Sequence, residues 1–399
     1  MSDDKVGQHY GDVRHSIDVS ALNTYLASTV PAIATPVTVK QFSFGQSNPT
    51  YILFDTNNTR YVLRKKPPGS LLSSTAHAVE REYRILKALG SYTKGLPEGS
   101  RDGVPVPEVF CLCEDKSIVG TVFYVMQFID GRIFEDYRFL QIKDKEERRK
   151  CWLSAIDTLA ALHRADPVKV GLGDYGKREG FYTRQMKSMG KVSTIQAGVK
   201  DKDEKAVGTL PGIEQFLGWF SKNMPKDENT IVHGDFKIDN LIYHPTEPRV
   251  IGILDWELST LGHPLSDLAN LLQPYSIPCS TPDRINDPSL WDDSRQQGSL
   301  LSLGQLTPDQ SPVPVEEVLI KQYCQASGRD WPIQNWTAAK AWAWFRLAVI
   351  AQGIAARNAQ GQASSAQAKV YGSKFPLCAK NCFVVIEADA KQEQAKAKL

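Results

Sequence analysis

Short apolar segments separated by polar turns predict that the first third of the chain forms a small β-sheet. Val, Ile, Leu, Tyr and Phe dominate these segments, and Asn57-Asn58 between two of them is typical of a tight turn. The five predicted strands are Val37–Phe44, Thr50–Asp55, Arg60–Lys66, Glu108–Cys113 and Thr121–Phe128. Apolar positions at helical spacing predict helices at Val19–Ser28 and Ser74–Leu89, the second ended by Gly90.

The pattern changes after Phe128, where longer segments of helical periodicity predict a mainly helical second part. Helices are predicted at Lys145–Arg164 and Thr337–Asn358. The polar segment Lys191–Gly208 predicts a solvated loop or a short surface helix. The segment Ile277–Pro314 is rich in Pro, Ser, Asp and Gly, which predicts either a lid-like insertion or a partly disordered loop.

Strands followed by helices, without regular alternation, indicate an α+β fold with two lobes. Three further short strands are predicted around loops in the second part, at Thr230–Val232, Leu241–His244 and Val250–Trp256. A ligand cleft is expected where two lobes join, near Gln127–Gly131. The predicted parts are an N-terminal lobe over 1–127, a C-terminal lobe over 128–390 and a flexible tail over 391–399.

Composition narrows the range of partners. The chain has 399 residues, of which 42% are hydrophobic, so a sizeable core is available. Its 47 Lys and Arg nearly balance its 45 Asp and Glu, which argues against a nucleic-acid or polybasic membrane partner. The 7 cysteines show no paired zinc spacing and are interpreted as reduced thiols of an intracellular protein. The most apolar stretch, Ala339–Ala355, is too short and too charged to span a membrane.

The chain ends in Ala397-Lys398-Leu399, a conservative variant of the Ser-Lys-Leu peroxisomal address. A polar tail rich in Ala, Lys and Gln precedes it, which would leave the tripeptide accessible to a receptor. We therefore predict peroxisomal localisation through the peroxisomal import receptor. The alternative is a cytoplasmic protein whose charged tail ends in this way by chance.

The strongest chemical signal is the segment His233-Gly-Asp-Phe-Lys-Ile-Asp-Asn240, followed by Ile253-Leu-Asp-Trp-Glu257. Asp235 and Asn240 have the D-x-x-x-x-N spacing of a kinase catalytic loop, which offers a base and an amide oxygen. Asp255 adds a carboxylate at the end of the next strand. Phosphoryl transfer needs such oxygen ligands for Mg2+ and a carboxylate that orients the attacking hydroxyl.

Three segments resemble the aminoglycoside phosphotransferase/choline kinase superfamily: Ile231–Tyr243, Asp255-Trp256-Glu257 and Gly262-His-Pro-Leu-Ser-Asp-Leu-Ala269. The resemblance implies a protein-kinase-like bilobal fold that uses ATP and Mg2+. It makes Asp235 the catalytic base, Asn240 and Asp255 the magnesium ligands, and Asp267 a structural brace of the catalytic loop.

A narrower resemblance is carried by Phe44–Thr50, Tyr61–Gly69, Ala78–Tyr83 and Phe345–Arg357. These segments are similar to the kinase-like domain fused to some acyl-CoA dehydrogenases. That group is associated with phosphorylating 4-hydroxyacyl-CoA during fatty-acid breakdown. Since no dehydrogenase domain follows in this sequence, the resemblance implies a stand-alone kinase.

The first lobe supplies the expected nucleotide contacts. Arg64 occupies the place of the kinase β3 lysine, where a guanidinium would hold phosphate oxygens in a bidentate way. Strand alternation points Lys65 to the other face. Glu82 on the next helix is the expected ion-pair partner of Arg64, and the backbone near Gln127 and Phe128 is expected to pair with adenine.

The phosphate loop departs from the protein-kinase pattern. It holds only Gly45 in place of G-x-G-x-x-G, which argues against a protein kinase. Ser47 and Asn48 remain candidates for covering phosphates through a hydroxyl and backbone N–H groups. An ordinary turn is an equally acceptable interpretation of this segment.

Other polar residues of the helical part have structural interpretations. His163 is predicted to be a hydrogen-bonded core histidine, and His233 to hold the catalytic loop. If the helical part binds an acyl-CoA, Arg346 and Arg357 are candidate cations for its phosphates.

The sequence therefore predicts an ATP-dependent small-molecule kinase that acts on a hydroxyacyl-CoA or a related lipid metabolite. One alternative keeps the fold and changes the acceptor to an aminoglycoside, a choline-like amine or a sugar. A second alternative, from another class, is a catalytically silent nucleotide-binding module.

Overall fold

The computed structural model describes residues 10–13, 17–42, 48–67, 78–292, 300–362 and 368–396. The chain forms two compact units that alternate along the sequence. The first unit comprises Met1–Tyr137, Arg164–Gly173 and Lys237–Ser259, and the second comprises Arg138–His163, Asp174–Phe236 and Thr260–Leu399. The predicted division into 1–127, 128–390 and 391–399 stays a prediction.

The first unit is built on a six-stranded antiparallel sheet with the strand order β1-β2-β3-β4-β6-β5. Its strands are β1 Tyr10–Gly11, β2 Thr38–Phe42, β3 Thr50–Phe54, β4 Arg60–Lys65, β5 Val109–Cys113 and β6 Phe123–Gln127. The five predicted strands are confirmed, and β1 is an addition that the sequence pattern did not indicate.

Alternation along β4 assigns its side chains to two faces of the sheet. Tyr61 and Leu63 join the core cluster that also contains Leu22 and Leu26 of the first helix. Arg64 points to the other face, where it meets Glu82 of the second helix. The same strand therefore carries both a core face and a charged face.

The helices of the first unit are α1 Val19–Thr29, α2 Val79–Lys94 and α3 Lys116–Val119. The prediction that Gly90 ends the second helix is wrong, because α2 continues to Lys94. A single interior glycine costs a helix only about 1 kcal/mol, and the buried apolar face of α2 outweighs that cost. Residues 74–77 of the predicted helix lie outside the described residues.

A second antiparallel hairpin of the first unit consists of β8 Leu241–Tyr243 and β9 Val250–Ile253. Gly131 lies against this hairpin so closely that a Cβ atom built on it would be 2.4 Å from the Tyr243 carbonyl oxygen. Arg132 exchanges both main-chain hydrogen bonds with Tyr243, at 2.8 Å each. The hairpin is thereby tied to the segment that follows the large sheet.

The second unit is mainly helical. Its helices are α4 Lys145–Arg164 (whose last residue belongs to the first unit), α5 Phe181–Ala197, α6 Ile213–Asn223, α7 Leu265–Leu271, α8 Glu316–Ser327, α9 Trp336–Ala359, α10 Ala368–Gly372 and α11 Phe375–Lys396. One strand pair, β7 Thr230–Val232 with β10 Thr260–Gly262, precedes and follows the candidate catalytic segments.

Aromatic stacking forms the centre of the second unit. Phe216 stacks on Phe345 with ring centroids 4.8 Å apart, and Phe220 stacks on Trp342 at 4.7 Å. These rings join α6 to α9 within one apolar cluster. Trp342, Trp344 and Phe345 of α9 are all buried in this cluster.

Two predicted loops differ in outcome. The predicted loop Lys191–Gly208 is helical in its first part, because α5 continues to Ala197. Within that part, Ser193 is buried and donates a hydrogen bond to Gln352 at 2.7 Å. In Ile277–Pro314 the described residues are largely irregular, with a short 3-10 turn at Pro282–Arg284, and 293–299 lie outside the described residues. Its role as a lid stays a prediction. Throughout the described part of the chain, no helix combines the length and apolarity needed to cross a membrane.

Candidate active site

Arg64 is the centre of a charged cluster in the first unit. Its Nη1 atom lies 3.3 Å from Glu82 Oε2, and its Nη2 atom lies 3.3 Å from Asp255 Oδ1. The Arg64 side chain is 11% exposed and that of Glu82 is 1% exposed, so this is a buried ion pair. Lys65 points to the opposite face, where its ammonium lies 5.6 Å from the centroid of the Tyr51 ring.

Glu82 is held by two further donors, one for each carboxylate oxygen. The Asn48 side-chain amide donates to Oε1 at 2.8 Å, and the Tyr124 hydroxyl donates to Oε2 at 2.9 Å. Asn48 also donates to Glu257 at 3.4 Å. The carboxylate of Glu82 therefore has a fixed orientation toward Arg64.

Burial and charge act in opposite directions on this pair. Burial works to lower the pKa of Arg64, but the carboxylates of Glu82, Asp255 and Glu257 outweigh it, so the net pKa is raised and the guanidinium stays charged. Burial raises the pKa of Glu82, and the Arg64 charge and the Tyr124 hydroxyl oppose this only in part. The cluster thus stabilises the charged form of Arg64, while burial makes the charged form of Glu82 less stable than it is in water.

Two polar atoms of this cluster are buried without a hydrogen-bond partner in the described part of the chain. They are the Nε donor of Arg64 and the Oδ1 acceptor of Asn48. Buried polar atoms are generally paired in native proteins, so each of these two atoms is available to a partner from outside the chain, such as a ligand or a water molecule. A donor on a guanidinium suits an anionic oxygen such as that of a phosphate.

Asn240 and Asp255 lie at neighbouring ends of the β8–β9 hairpin. The Leu254 main-chain N–H donates to the Asn240 carbonyl oxygen at 2.9 Å, so Asn240 lies opposite the residue before Asp255. Asp255 adopts a left-handed conformation with φ 64°, which aspartate tolerates better than most residues. Its side chain is 37% exposed and reaches Arg64.

The donor set suits a hard divalent cation. Asn240 contributes an amide oxygen and Asp255 a carboxylate, and Mg2+ takes oxygen ligands, with only one or two from the protein when substrate phosphates supply others. Within the described ranges, no cluster of three or more His, Cys, Asp or Glu side chains could hold a metal.

The segment His233–Phe236 of the second unit is fixed through its main chain. The carboxylate of Asp267 accepts from the N–H groups of His233 at 2.7 Å and Gly234 at 2.9 Å. The Asp235 N–H donates to the His233 ring at 3.1 Å. Gly234 has φ 86°, a left-handed conformation that glycine adopts without strain. Asp235 is thus placed by hydrogen bonds to its backbone and to both preceding residues.

Asp267 is itself oriented by a buried histidine. The His163 ring lies 3.5 Å from an Asp267 carboxylate oxygen through Nε2, and its Nδ1 lies 2.7 Å from the Tyr323 hydroxyl. Burial raises the pKa of Asp267, but hydrogen bonding and charge from His163 and the N–H of Gly234 outweigh it, so the net pKa is lowered. Burial lowers the pKa of His163. The prediction that His163 is a hydrogen-bonded core residue is confirmed.

Two more residues bind the carbonyl oxygens of this loop. Arg346 of α9 donates to the Gly234 carbonyl oxygen and, at 3.1 Å, to Asn270 Oδ1. The Asn270 amide donates in turn to the Phe236 carbonyl oxygen at 3.0 Å. Sequence analysis did not assign these contacts, since no local pattern links α9 to a loop 112 residues earlier.

Tyr124 was also missed by sequence analysis, although strand pairing could have indicated it. In the sheet, Tyr124 of β6 lies directly opposite Arg64 of β4. Cross-strand partners on one face are close neighbours, so a tyrosine there can reach the partner of Arg64. The signal existed but required the correct register.

The remaining predicted contacts are partly placed. The Gln127 N–H donates to the Glu108 carbonyl oxygen at 2.7 Å, so this N–H is engaged within the protein. The Phe128 ring packs under the Arg60 guanidinium at 4.3 Å. Adenine contacts at Gln127 and Phe128 stay predictions. Ser47 and the Ala397-Lys398-Leu399 terminus lie outside the described residues, so their roles stay predictions as well.

Comparison with solved structures defines the class of fold. A protein from Ralstonia eutropha, solved as a candidate aminoglycoside phosphotransferase, matches with a TM-score of 0.74 and 33% identity over 94% of this chain and 99% of its own. A ternary complex of a thermostable mutant of aminoglycoside phosphotransferase APH(4)-Ia with AMP-PNP and hygromycin B matches with a TM-score of 0.51 and 13% identity, covering 92% of this chain and 98% of that one. The fold is the protein-kinase-like fold of aminoglycoside phosphotransferases.

The family is shown by sequence. Residues 38–296 match the APH phosphotransferase enzyme family, and this chain belongs to that family. Its relatives include acyl-CoA dehydrogenase family member 11 of Rattus norvegicus, 37% identical over 88% of this chain and 41% of the relative. The probable acyl-CoA dehydrogenase IBR3 of Arabidopsis thaliana is also 37% identical, over 88% of this chain and 40% of the relative. This chain thus spans about two fifths of these relatives.

Proposed function

We propose that this chain is an ATP- and magnesium-dependent kinase that phosphorylates the hydroxyl group of a hydroxyacyl-CoA, with 4-hydroxy chains as the first candidates. The observation that carries the nucleotide part is the buried Arg64–Glu82 pair, which reaches Asp255 and leaves Arg64 Nε without a protein partner in the described residues. The family supports the class of reaction, since its members are phosphotransferases.

Asp235 acts on the acceptor. Its carboxylate aligns the substrate hydroxyl and takes the proton as the oxygen attacks the γ-phosphorus. The hydroxyl O–H bond and the bond from the γ-phosphorus to the bridging oxygen break, one new O–P bond forms, and ADP leaves. The fixed backbone of the loop, held by Asp267, keeps this carboxylate in place and so reduces the entropy cost of alignment.

Arg64 and the β8–β9 hairpin act on the nucleotide. The Arg64 guanidinium, oriented by Glu82, binds phosphate oxygens. Asn240 and Asp255 would hold Mg2+, which supplies charge neutralisation on the β- and γ-phosphates. Asp255 also contacts Arg64, so the residues for cation and nucleotide belong to one connected cluster.

The acceptor is inferred from the relatives. Proteins named acyl-CoA dehydrogenases share 37% identity with this chain over 88% of its length. A kinase region within such proteins is best explained by a substrate of related chemistry, in which phosphorylation makes a hydroxyl a better leaving group. The competing acceptor is an aminoglycoside, because the Ralstonia eutropha protein, at 33% identity, was solved as a candidate aminoglycoside phosphotransferase.

The test is magnesium-dependent ADP formation by the purified protein with a panel of acceptors. The panel contains 4-hydroxyacyl-CoA, 3-hydroxyacyl-CoA, choline and an aminoglycoside, and the Asp235→Asn variant is the control. Mass-spectrometric detection of phosphorylated hydroxyacyl-CoA, absent with the variant, supports the proposal. Transfer only to the aminoglycoside or choline overturns the acceptor. ATP binding without transfer to any acceptor would overturn the kinase assignment and favour a nucleotide-binding module.

A further inference from the structure

Two side chains that have no role in the proposed reaction donate hydrogen bonds to main-chain carbonyl oxygens of the His233–Phe236 loop. Arg346 donates to the Gly234 carbonyl oxygen and Asn270 donates to the Phe236 carbonyl oxygen, which are the carbonyls on either side of Asp235. Arg346 also donates to Asn270 at 3.1 Å, so the two side chains form one unit. We name Arg346 and Asn270 the carbonyl clamp.

We propose that the carbonyl clamp is a positioning device that fixes the Gly234–Asp235 peptide plane and the Phe236 carbonyl group, and thereby sets the direction of the Asp235 carboxylate. The backbone of this loop offers N–H donors and carbonyl acceptors. Asp267 binds N–H groups, and the carbonyl clamp binds carbonyl oxygens. Asp267 accepts from the N–H groups of His233 and Gly234, whereas the clamp donates to carbonyl oxygens. Together they hold both sides of the loop.

The hydrogen-bond acceptors of Arg346 support a role at this loop. Both of its hydrogen bonds in the described part of the chain go to neutral acceptors, and no ion pair to a carboxylate is present among those residues. Arg329, another half-buried arginine of this unit, instead binds the Glu228 carboxylate with two hydrogen bonds, at 2.9 and 2.7 Å. A half-buried cation without a counter-ion is costly, and bonds to two carbonyl-type oxygens offset only part of that cost.

The geometry requires a guanidinium rather than any cation. Nη1 serves Asn270 and Nη2 serves Gly234, so two separate donors in a planar fork are used at once. A lysine ammonium is a point charge on a flexible stem and does not reproduce this fork. The Arg346→Lys variant therefore distinguishes two roles for Arg346, a two-donor clamp and a simple source of positive charge.

The inference rests on the proposed function for its kinetic meaning, but its first measurement does not. Hydrogen exchange of the peptide covering 231–238 is compared in the wild type and in Arg346→Met, Arg346→Lys and Asn270→Ala, without substrate. We expect exchange in this peptide to be at least tenfold faster in all three variants, with unchanged exchange in α6. Unchanged exchange at 231–238 in Arg346→Met and Asn270→Ala would overturn the clamp.

Kinetics then tests the effect on Asp235. We expect kcat to fall on the order of 10- to 100-fold in Arg346→Met and Arg346→Lys with KM for ATP and acceptor within about threefold, because a misdirected carboxylate affects the transition state and not ground-state binding. Arg149→Met, the same substitution at an exposed arginine of α4 paired with Glu146, is the matched control.

The outcomes distinguish the two proposals. Recovery of kcat in Arg346→Lys, or a rise in KM for acyl-CoA alone, overturns the clamp and favours a cation for CoA phosphates. If the wild type phosphorylates no acceptor, the proposed function fails, but faster exchange at 231–238 in the variants would still support the clamp. Partial unfolding of Arg346→Met is recognised by faster exchange in α6, and Asn270→Ala then provides the decisive measurement.

Discussion

The Arg64 cluster of the first unit and the His233–Phe236 loop of the second unit are positioned by different kinds of contact. In the first, charged side chains bind one another, as Arg64 does with Glu82 and Asp255. In the second, side chains bind main-chain groups, as Asp267 does with two N–H groups. Charged side chains can exchange an ion-pair partner for a bound anion, whereas main-chain groups that are already hydrogen-bonded hold the loop in one conformation. The contrast is consistent with the proposed roles, a nucleotide site beside Arg64 and a fixed base at Asp235.

The largest expected effect is on Asp235, the proposed catalytic base. Replacing Asp235 with Asn removes the proton acceptor and leaves the size of the side chain unchanged, so kcat should fall on the order of 10²- to 10⁴-fold. Binding of an ATP analogue, measured by calorimetry, should change little. The matched control is Asp239→Asn, which alters an exposed carboxylate paired with Lys237 at 3.1 Å. Equal loss of activity in both variants would remove the special role of Asp235.

The second effect is on the charged cluster. The Glu82→Ala variant deprives buried Arg64 of its main partner and leaves the Tyr124 hydroxyl and Asn48 amide without their acceptor. We expect a loss of about 3–5 kcal/mol in the free energy of unfolding, measured by urea denaturation, and weaker ATP binding. Glu80→Ala, on the same helix in a more exposed pair with Lys66, should cost less than about 1 kcal/mol. Similar losses in both would mean that the Arg64 pair contributes no more than a surface pair.

A third variant tests the loop by the same logic. Asp267→Asn leaves one acceptor oxygen for two N–H groups and turns an amide toward the other, which we expect to cost about 2–3 kcal/mol of unfolding free energy. The comparison predicts that kcat falls while ATP affinity is preserved, whereas Glu82→Ala is expected to weaken ATP binding. The control is Asp203→Asn in an exposed turn. A loss of ATP affinity instead of kcat would contradict the separation of the two regions.

A smaller effect is expected from one hydroxyl group. The Tyr124→Phe variant removes the donor at 2.9 Å from Glu82 while keeping the ring in place. A hydrogen bond to a charged group contributes about 1.5–3 kcal/mol, and we expect the lower end of that range in urea denaturation because Arg64 and Asn48 still bind the carboxylate. Tyr83→Phe is the control, because it removes a hydroxyl from a neighbouring tyrosine whose ring centroid lies 6.3 Å from that of Tyr124. No loss in either variant would mean that Arg64 and Asn48 orient Glu82 without help from the Tyr124 hydroxyl.

The smallest effect we expect is a difference in pH response. The pKa of His163 is lowered by burial, so its contribution to stability is present above the unfolded value near 6.5 and is lost as pH falls below it. The pKa of Asp267 is lowered too, and its contribution is lost below about 3.8. Burial raises the pKa of Glu82, so its contribution is present below 4.5 and is lost as pH rises through the folded pKa.

Acid should therefore loosen the loop of the second unit before the cluster of the first. Hydrogen exchange at pH 7 and pH 5, corrected for intrinsic rates, should show lower protection at 231–238 and unchanged protection in α2. A His163→Phe variant should lose this pH difference in the loop. Loosening of α2 at pH 5, with the loop unaffected, would reverse the comparison.

Local patterns in the sequence determined much of this protein. Alternation predicted the strands around Arg64 and assigned Lys65 to the other face, because side-chain direction in a strand follows from neighbouring residues alone. The spacing of Asp235, Asn240 and Asp255 was a property of one contiguous segment and indicated the phosphotransferase family. The end of α2 was predicted wrongly because a glycine signal is local, while burial of the helix face is not.

Only the tertiary structure decided which distant residues meet. The donation from Arg346 to the Gly234 carbonyl oxygen joins residues 112 positions apart, and Glu82 meets Arg64 and Tyr124 through the packing of α2 on the sheet. Such contacts depend on helix packing and strand register, which are set by the whole core and not by any short segment. The sequence thus indicated the candidate catalytic side chains, and the packed core decided what holds them in place.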